Sequence, residues 1–398
     1  MRIVILARST TAHRFGGIET HAASLARGAA RLGHEIIVLS TSHPSGLVEE
    51  QRDGAWYRYL PGTPPAVYTH AWRVESVRAV ANLVRAADVD LVLSLGLSGC
   101  GLADARLGVP HHVIAYGEVL AHVVSEWHEA HGFRGLSAYP KHALATLYYA
   151  WLERRLWSRV DSVVATDERL RRRLCRLGYR ARLAYTGIAL EAFAPDGETR
   201  AAMRRRLAIA ENARVMLMVS TVNRQKGVWL GARVFASLAA RDPRLHLVLV
   251  GDGSDLPAIR RQLADPLRRG RAHLAGAVTC AGVPPYYAAA DVFVAPTLRM
   301  EGLPLTVIEA AAAGLPIVAS ARGGMTSAIE HGVTGLLVKP GDARALETAI
   351  LRLVDDPALA ASLGCRARQL ALERFDEVTA TERMLGDLTS GGGFDAAR

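Results

Sequence analysis

The pattern of apolar and polar positions predicts alternating strands and helices in the first half of the chain. Short apolar runs, each the length of a buried strand, are separated by longer stretches with helical periodicity. The clearest helix is Glu19–Leu32, which ends before Gly33. Buried strands separated by helices are typical of a parallel sheet. The predicted strands are Ile3–Ala7, Glu35–Ser40, Leu91–Leu95, His112–Ala115 and Ser162–Thr166.

The alternation weakens near residues 186–198, whose sequence TGIALEAFAPDGE ends in turn residues, and then starts again. We therefore predict two successive α/β domains, over residues 1–195 and 196–375. Residues 355–388 have a helical pattern, and the helix at 376–388 is a candidate to cross back to the first domain. Residues 389–398 contain three consecutive glycines and are expected to form a flexible tail. The elements predicted for the second domain are the helix Val228–Ala240 and the strands Arg214–Ser220, His246–Val250, Arg271–Ala275, Asp291–Ala295, Pro316–Ala319 and Gly335–Val338.

Length and composition exclude several classes of protein. The chain has 398 residues, of which 50% are hydrophobic and 22% charged, so it is expected to form large apolar cores and is not mainly disordered or fibrous. No apolar run approaches the ~18 residues of a membrane span, and the N-terminal run lacks a signal-peptide pattern. The four cysteines lie far apart and form no Cys-x-x-Cys pair, which predicts free thiols in the cytoplasm.

The net charge of +10 is concentrated in part in the segment from Glu153 to Arg182, where ten arginines outnumber four acids. Such a segment can meet nucleic acid, anionic lipid or a phosphorylated substrate, or it can be an ordinary solvated helix face. No recognisable nucleic-acid-binding module accompanies it, so we predict no nucleic acid partner.

Two glutamates mark the first candidate site. Glu301 is expected in a loop after a strand, and Glu309 about a turn and a half into the helix that begins near Pro304. The backbone amides of Leu303, Leu305 and Thr306 would then lie at a helix N-terminus, which favours an anion. The alternative is structural: Glu301 would stabilise the helix dipole, and Glu309 would be a solvated helix position.

Two further segments follow predicted strands, at the edge where open α/β sheets bind ligands. Arg224 and Lys226 could offset the charge of a diphosphate leaving group, although both could equally be surface cations. Gly16 and Gly17 permit a close backbone approach to a phosphate or sugar, but glycine pairs are common in loops.

Other motifs give weaker signals. Tyr116 and Glu118 follow a predicted strand and could face a cleft. The nearby pair His111 and His112 has no carboxylate at metal-ligand spacing, so we predict no metal site. The segment GDGSD at residues 251–255 lacks the third glycine of a dinucleotide fingerprint, which argues against NAD.

Together these segments resemble the GT-B retaining glycosyltransferases of family 4. The resemblance covers nearly the whole chain, and the motifs occur in the family's order. Its most specific element is the E-x7-E pair formed by Glu301 and Glu309, continued by AAAAGLPIVAS. The other motifs are GGIETH, GHEIIVLS, YGE, TGIALEAFAP, VNRQKG, VLVGDG and GGMTSAIEHGVTGLLVKPGD.

The resemblance implies two Rossmann-like domains that face each other across a cleft. The C-terminal domain would bind a nucleotide-sugar donor, with a UDP-sugar expected, and the N-terminal domain would bind the acceptor. The reaction would be metal-independent and retaining, with the nucleotide-sugar as a substrate rather than a cofactor. The acceptor would be a glycan, a lipid-linked sugar or a small natural product.

The resemblance also implies a role for each matching residue. Glu309 would bind the ribose hydroxyls and Glu301 the transferred sugar, while Arg224 and Lys226 would neutralise the diphosphate. The acceptor side would include Tyr116 and Glu118. The remaining donor-binding residues would be Gly16, Gly17, Val278, Gly302, Leu303, Pro304 and Leu305.

Two positions depart from the family pattern. Ser220 and Thr221 replace a Gly-Arg pair that is frequent in the family, which weakens the role assigned to Arg224. Tyr116 stands where many members have histidine. A sugar-nucleotide epimerase of similar fold, or a non-catalytic relative, remains an alternative.

Aromatic residues precede and overlap the arginine-rich segment. One interpretation is an acceptor-binding region that contacts a membrane peripherally, at the inner face of the cell membrane, and the other is a helix core with a polar outer face. The aromatic residues are Trp127, Phe133, Tyr139, Tyr148, Tyr149, Trp151 and Trp157.

Overall fold

The computed structural model describes residues 1–14, 16–86, 88–105, 107–118, 140–300 and 302–390. The described residues form two compact units, one within residues 1–189 together with 374–390 and the other within residues 190–373. The boundary between the two units, after residue 189, thus lies a few residues before the predicted boundary at 195/196. Each unit contains a sheet covered by helices, as the alternation of apolar runs and amphipathic stretches predicts.

The first unit contains an eight-stranded sheet in the order β3-β4-β2-β1-β5-β6-β7-β8. Adjacent strands are parallel except for the antiparallel pair β3 and β4. The strands are β1 (Arg2–Leu6), β2 (Glu35–Thr41), β3 (Glu49–Arg52), β4 (Ala55–Leu60), β5 (Leu91–Leu95), β6 (His111–Ala115), β7 (Ser162–Ala165) and β8 (Ala181–Leu183). The helices in sequence order are α1 (Gly17–Arg31), α2 (His70–Ala86), α3 (Pro140–Trp157) and α4 (Glu168–Arg176).

Helices bury both faces of the first sheet. Ile3 and Ile5 of β1 pack in one apolar cluster with α1, and Val4 and Leu6 pack in the opposite cluster with Trp72 of α2. This alternation follows from the two-residue period of a strand. Because both faces are covered, the strand reads as a continuous apolar run instead of an alternating one.

The sequence prediction missed the hairpin formed by β3 and β4. Asp53 and Gly54 connect the two strands with positive φ angles of 53° and 79°. An Asp-Gly pair is the usual signal for such a turn, so the sequence did contain it. Strand β3 was overlooked because its sequence, EEQR, is polar and it lies at the edge of the sheet.

The second unit contains a six-stranded parallel sheet in the order β11-β10-β9-β12-β13-β14. The strands are β9 (Arg214–Val219), β10 (Leu245–Val250), β11 (Ala272–Gly276), β12 (Val292–Ala295), β13 (Ile317–Ser320) and β14 (Leu336–Val338). The helices are α5 (Gly197–Arg206), α6 (Val228–Ala239), α7 (Leu256–Gln262), α8 (Ala264–Arg268), α9 (Pro284–Ala289), α10 (Leu305–Ala312), α11 (Met325–Ala328), α12 (Ala343–Asp355) and α13 (Pro357–Arg374). Helices α6 and α12 pack in one apolar cluster with β9 and β10.

The final helix, α14 (Glu377–Thr389), packs on α1 of the first unit. The helical pattern over residues 355–388 therefore corresponds to separate helices, because Asp376 caps α14 through the backbone amide of Thr379. Glu377 is completely buried, and Arg27 of α1 donates to it from Nε at 2.9 Å and from Nη2 at 2.7 Å. Arg31 adds a contact of 3.0 Å. The pKa of Arg27 is raised by this pairing.

Replacing Glu377 by alanine is expected to lower the free energy of unfolding by about 3 kcal/mol, since it leaves the partly buried guanidinium of Arg27 without its carboxylate. Urea denaturation followed by circular dichroism measures the loss. Glu382→Ala, an exposed position on the same helix, is the matched control and is expected to change stability little. Equal effects of the two substitutions would show that the ion pair does not hold the helix.

Candidate active site

In the second unit, the loop after β9 contacts the loop after β12 through backbone hydrogen bonds. The backbone amide of Leu298 donates to the carbonyl of Gln225 at 2.8 Å. Gly227 has a φ of 67°, and a Cβ at this position would lie 1.9 Å from the carbonyl oxygen of Pro296. Glycine is therefore required where the basic loop meets the loop that leads toward Glu301. The carboxyl edge of a parallel sheet is where ligands bind in such folds.

The two predicted cations of the basic loop have different surroundings. Asn223 accepts a hydrogen bond from the backbone amide of Lys226 at 3.0 Å and closes a tight turn. Lys226 lines a small cavity that Pro304 and Thr306 also line. Arg224 is outside that lining; it is exposed, and its guanidinium lies 5.2 Å from the ring centroid of Trp229. Lys226 is therefore the cation placed at the start of α10.

The start of α10 has the geometry that the sequence predicts for an anion site. The helix begins at Leu305, and Pro304 lies at its N-cap position. The first-turn amides have no partner within the helix and carry its positive dipole end. Leu303 and Gly302 lie against the loop after β13, since a Cβ on Gly324 would come within 2.3 Å of the carbonyl oxygen of Gly302. Glu301 lies outside the described residues, so its predicted role stays a prediction.

Glu309, on α10, is partly buried and accepts a hydrogen bond from the hydroxyl of Tyr287 at 2.7 Å. Tyr287 belongs to α9 and is almost fully buried, and its hydroxyl also lies 3.1 Å from the carbonyl oxygen of Thr306. Burial raises the pKa of Glu309 to about 7, and the hydrogen bond from Tyr287 opposes that rise. The alternative of a fully solvated helix position is therefore wrong for Glu309.

Tyr287 was missed by the sequence analysis because only the tertiary structure brings α9 beside α10. Replacing Tyr287 by phenylalanine removes the donor that stabilises the Glu309 carboxylate. The pKa of Glu309 is then expected to rise above its value of about 7, and NMR titration of the Glu309 side chain measures the shift. Tyr286→Phe, at the neighbouring buried tyrosine, is the control. An unchanged Glu309 pKa in Tyr287→Phe would show that the Tyr287 hydroxyl does not stabilise the Glu309 carboxylate.

Val278 follows β11 at the same edge of the sheet. It is partly buried, and a Cβ on Gly282 would lie 2.9 Å from its Cγ1. Val278 thus packs on its own loop. This loop lies beside the end of β10, since the amide of Gly251 donates to the carbonyl of Gly276 at 2.8 Å. The predicted place of Val278 near the nucleobase stays a prediction.

In the first unit, Gly16 and Gly17 lie at the start of α1. A Cβ on Gly16 would come within 2.5 Å of Oε2 of Glu19. Glu19 is buried, and it accepts hydrogen bonds from Ser9 Oγ at 2.5 Å and from Arg14 Nε at 2.7 Å. The glycine at position 16 therefore makes room for a buried carboxylate within its own unit.

Tyr116, predicted on the acceptor side, lies after β6 and forms a hydrogen bond with Nδ1 of His21 at 2.7 Å. Burial lowers the pKa of His21 to about 4, so the imidazole is neutral at pH 7. His21 was not singled out from the sequence, although it is part of GGIETH. Glu118, also predicted on the acceptor side, is buried and forms an ion pair with Arg173 of α4, and its role toward an acceptor stays a prediction.

The histidine pair is structural. His111 Nε2 lies 2.7 Å from Ser94 Oγ, and His112 Nδ1 lies 2.7 Å from Ser162 Oγ. Burial lowers the pKa of both rings to about 4. Within the described ranges, no group of three or more His, Cys, Asp or Glu side chains has an arrangement that could hold a metal ion.

Comparisons with known proteins match this organisation. Residues 15–192 match the model of Glycosyltransferase Family 4, and residues 213–356 match the model of the Glycosyl transferases group 1. The chain belongs to glycosyltransferase family 4. The first match contains every strand of the first sheet except β1, and the second contains all six strands of the second sheet together with Lys226 and Glu309.

Curated relatives of this chain include proteins whose names contain an inositol compound. A GDP-mannose-dependent alpha-(1-6)-phosphatidylinositol monomannoside mannosyltransferase of Mycolicibacterium smegmatis is 32% identical over 211 residues, which cover 52% of this chain and 55% of that protein. The chain thus spans just over half of that relative's length. A D-inositol 3-phosphate glycosyltransferase of Kineococcus radiotolerans is 28% identical over 394 residues, covering 89% of this chain and 86% of the relative.

Solved structures have the same fold. HepE of Anabaena, crystallised in complex with UDP, matches with a TM-score of 0.76 and 20% identity, covering 98% of this chain and 100% of that chain. At this identity the likeness shows the fold alone. The predicted fold class, two Rossmann-like domains of the GT-B type, is therefore confirmed.

Proposed function

We propose that this chain transfers a hexosyl group from a nucleotide-sugar to an acceptor hydroxyl, with retention of configuration at the anomeric carbon. The observation that carries the proposal is the cavity at the carboxyl edge of the second sheet, where Lys226 lies at the first turn of α10. Lys226 and the first-turn amides would bind the diphosphate, because both present positive charge to it. Glu309, farther along the same helix, would accept hydrogen bonds from the ribose hydroxyls.

The transfer needs no nucleophile from the chain in the proposed front-side reaction. The bond between the anomeric carbon and the diphosphate oxygen breaks, and the acceptor oxygen forms its bond on the same face. The departing phosphate oxygen takes the acceptor proton. Lys226 stabilises the charge that develops on the diphosphate, which is the step where electrostatic stabilisation has the largest effect. Glu301 would bind the transferred sugar, as the sequence resemblance implies.

The donor and acceptor are proposed by class. UDP is the nucleotide expected from the sequence resemblance, and GDP-mannose is the donor in the name of the Mycolicibacterium relative. The names of both curated relatives include an inositol compound, which supports a polyol or lipid-linked acceptor. The nucleotides chosen for the binding experiment therefore include both UDP and GDP.

Calorimetric titration with UDP, GDP and ADP in EDTA tests the donor site. We expect saturable binding of one nucleotide without metal, weakened in Glu309→Ala. Incubation with the corresponding sugar-nucleotide and an acceptor panel, with NMR of the product anomer, then tests transfer and retention. Conversion of the donor without an acceptor would favour the epimerase alternative. A folded chain that binds none of the nucleotides would contradict the proposal and favour a non-catalytic relative.

A further inference from the structure

Helix α3 is apolar on two opposite faces, although only one of them packs on the first unit. The inner face carries buried residues, including Leu152, Leu156 and Trp157. The outer face carries a second apolar row with the spacing i, i+3, i+4 and i+7, which places its members on one side of a helix. We name this row the α3 stripe; it consists of Leu144, Leu147, Tyr148 and Trp151, which are 66%, 59%, 44% and 52% exposed.

A surface helix normally has a polar outer face, so the α3 stripe is unusual for a helix exposed to water. The tyrosine and tryptophan rings of the stripe stack on each other with centroids 6.2 Å apart. Large aromatic residues in this position are typical of surfaces where an apolar phase meets water, because the ring body is apolar and its edge is polar.

Arginines border the α3 stripe. Arg154 and Arg155 continue its face into the last turn of the helix, and the Arg155 guanidinium lies 5.2 Å from the ring centroid of Trp151. Arg73 of α2 donates from Nη1 to the Tyr148 hydroxyl at 3.0 Å. Of the contacts named here, one involves a carboxylate: Asp104 pairs with Arg155 at 2.6 Å. The border is therefore cationic overall.

We propose that the α3 stripe and its bordering arginines dock this chain on an anionic lipid bilayer. The leucines and aromatic rings enter the headgroup region, and the guanidinium groups pair with lipid phosphates. The net charge of +10 adds a long-range attraction to a negative surface. No helix in the described part of the chain is long and apolar enough to cross a membrane, so the contact proposed is with the bilayer surface. The docking goes beyond the proposed transfer reaction, because it requires neither donor nor acceptor.

The position of the stripe has a consequence for the acceptor. A small cavity beside it is lined by Tyr148, Tyr149 and Leu97 among others, and Leu97 lies two residues after the carboxyl end of β5. A bilayer on the α3 stripe would therefore lie beside the carboxyl edge of the first sheet. A lipid-linked acceptor could reach that edge without leaving the membrane.

Flotation of the full chain with phosphatidylcholine vesicles, with and without phosphatidylglycerol, tests the proposal. We expect binding to the phosphatidylglycerol vesicles that salt weakens. The double variant Leu147→Ser, Trp151→Ser is expected to bind at least about tenfold more weakly, because two apolar side chains no longer leave water. Both residues are more than half exposed, so the variant is expected to fold, which circular dichroism checks.

The matched control is Leu177→Ser, Leu372→Ser, which removes two apolar side chains of similar exposure, 46% and 45%, away from α3. Normal binding by this control together with loss in the stripe variant supports the proposal. No binding by the wild-type chain, or equal binding by both variants, would overturn it. A wild-type dimer that the stripe substitutions separate, seen by light scattering, would also overturn it by identifying a second copy as the occupant. Vesicle binding is measured without any nucleotide, so its failure is distinct from failure of the donor proposal.

Discussion

Replacing Lys226 by alanine is expected to lower the rate of sugar transfer by about a hundred- to a thousandfold. The expectation follows from its place in the cavity at the first turn of α10, where it would face the diphosphate as the bond to the sugar breaks. Losing one preorganised group that stabilises developing charge has effects of this size in other enzymes, on the order of 10² to 10³ in turnover. Turnover with saturating donor, followed by release of the nucleoside diphosphate, measures the loss.

Lys339→Ala is the matched control for this variant. Lys339 lies directly after β14 in the same unit and is exposed, so its removal changes the net charge by the same amount. Arg224→Ala provides a second comparison, because the Arg224 guanidinium lies against the ring of Trp229 instead of in the cavity. If Lys226→Ala and Lys339→Ala retained equal turnover, Lys226 would have no part in the chemistry.

Nucleotide binding is expected to strengthen as the pH rises through about 7 and to level off above it. Burial raises the pKa of Glu309 to about 7, so near neutral pH part of the population carries a protonated carboxyl. The ionised carboxylate is the form with both oxygens available to two ribose hydroxyls. Below pH 7 the nucleotide must first displace that proton, and affinity is expected to fall by up to about tenfold per pH unit.

The same carboxyl is expected to affect stability in the opposite direction. Its pKa in the folded chain lies above the ordinary glutamate value, so the folded state holds the proton more tightly than the unfolded state does. The resulting contribution to the unfolding free energy is present in acid and is lost as the pH rises through about 7. Calorimetric affinities and urea denaturation measured across this pH range test the two trends.

In Glu309→Gln, both pH trends are expected to disappear, because the amide cannot ionise in this range. Glu330→Gln, at a glutamate in the same unit that precedes β14, is the control and should leave both trends in place. Persistence of the affinity trend in Glu309→Gln would assign the titration to another group and contradict the proposed ribose contact.

Much of the fold could be predicted because apolar periodicity is a local property of the chain. Strands such as Leu91–Leu95 are buried on both faces and read as continuous apolar runs, and their predicted bounds match the structure. The polar edge strand Glu49–Arg52 has no such run and was missed. The final helix had a clear pattern, but its partner, α1, lies about 350 residues away along the chain.

The sequence by itself determined the two-sheet architecture, the position of the basic loop after a strand and the start of α10 at Pro304, because each depends on periodicity or on the backbone limits of glycine and proline. Only the tertiary structure decided which side chains act together. It placed Lys226 but not Arg224 in the cavity, aligned Tyr287 with Glu309, and buried Glu118 against Arg173. These outcomes depend on contacts between residues that are distant along the chain. Burial sets the pKa of a side chain and its need for hydrogen-bond partners, and side chains become buried only when the elements pack together.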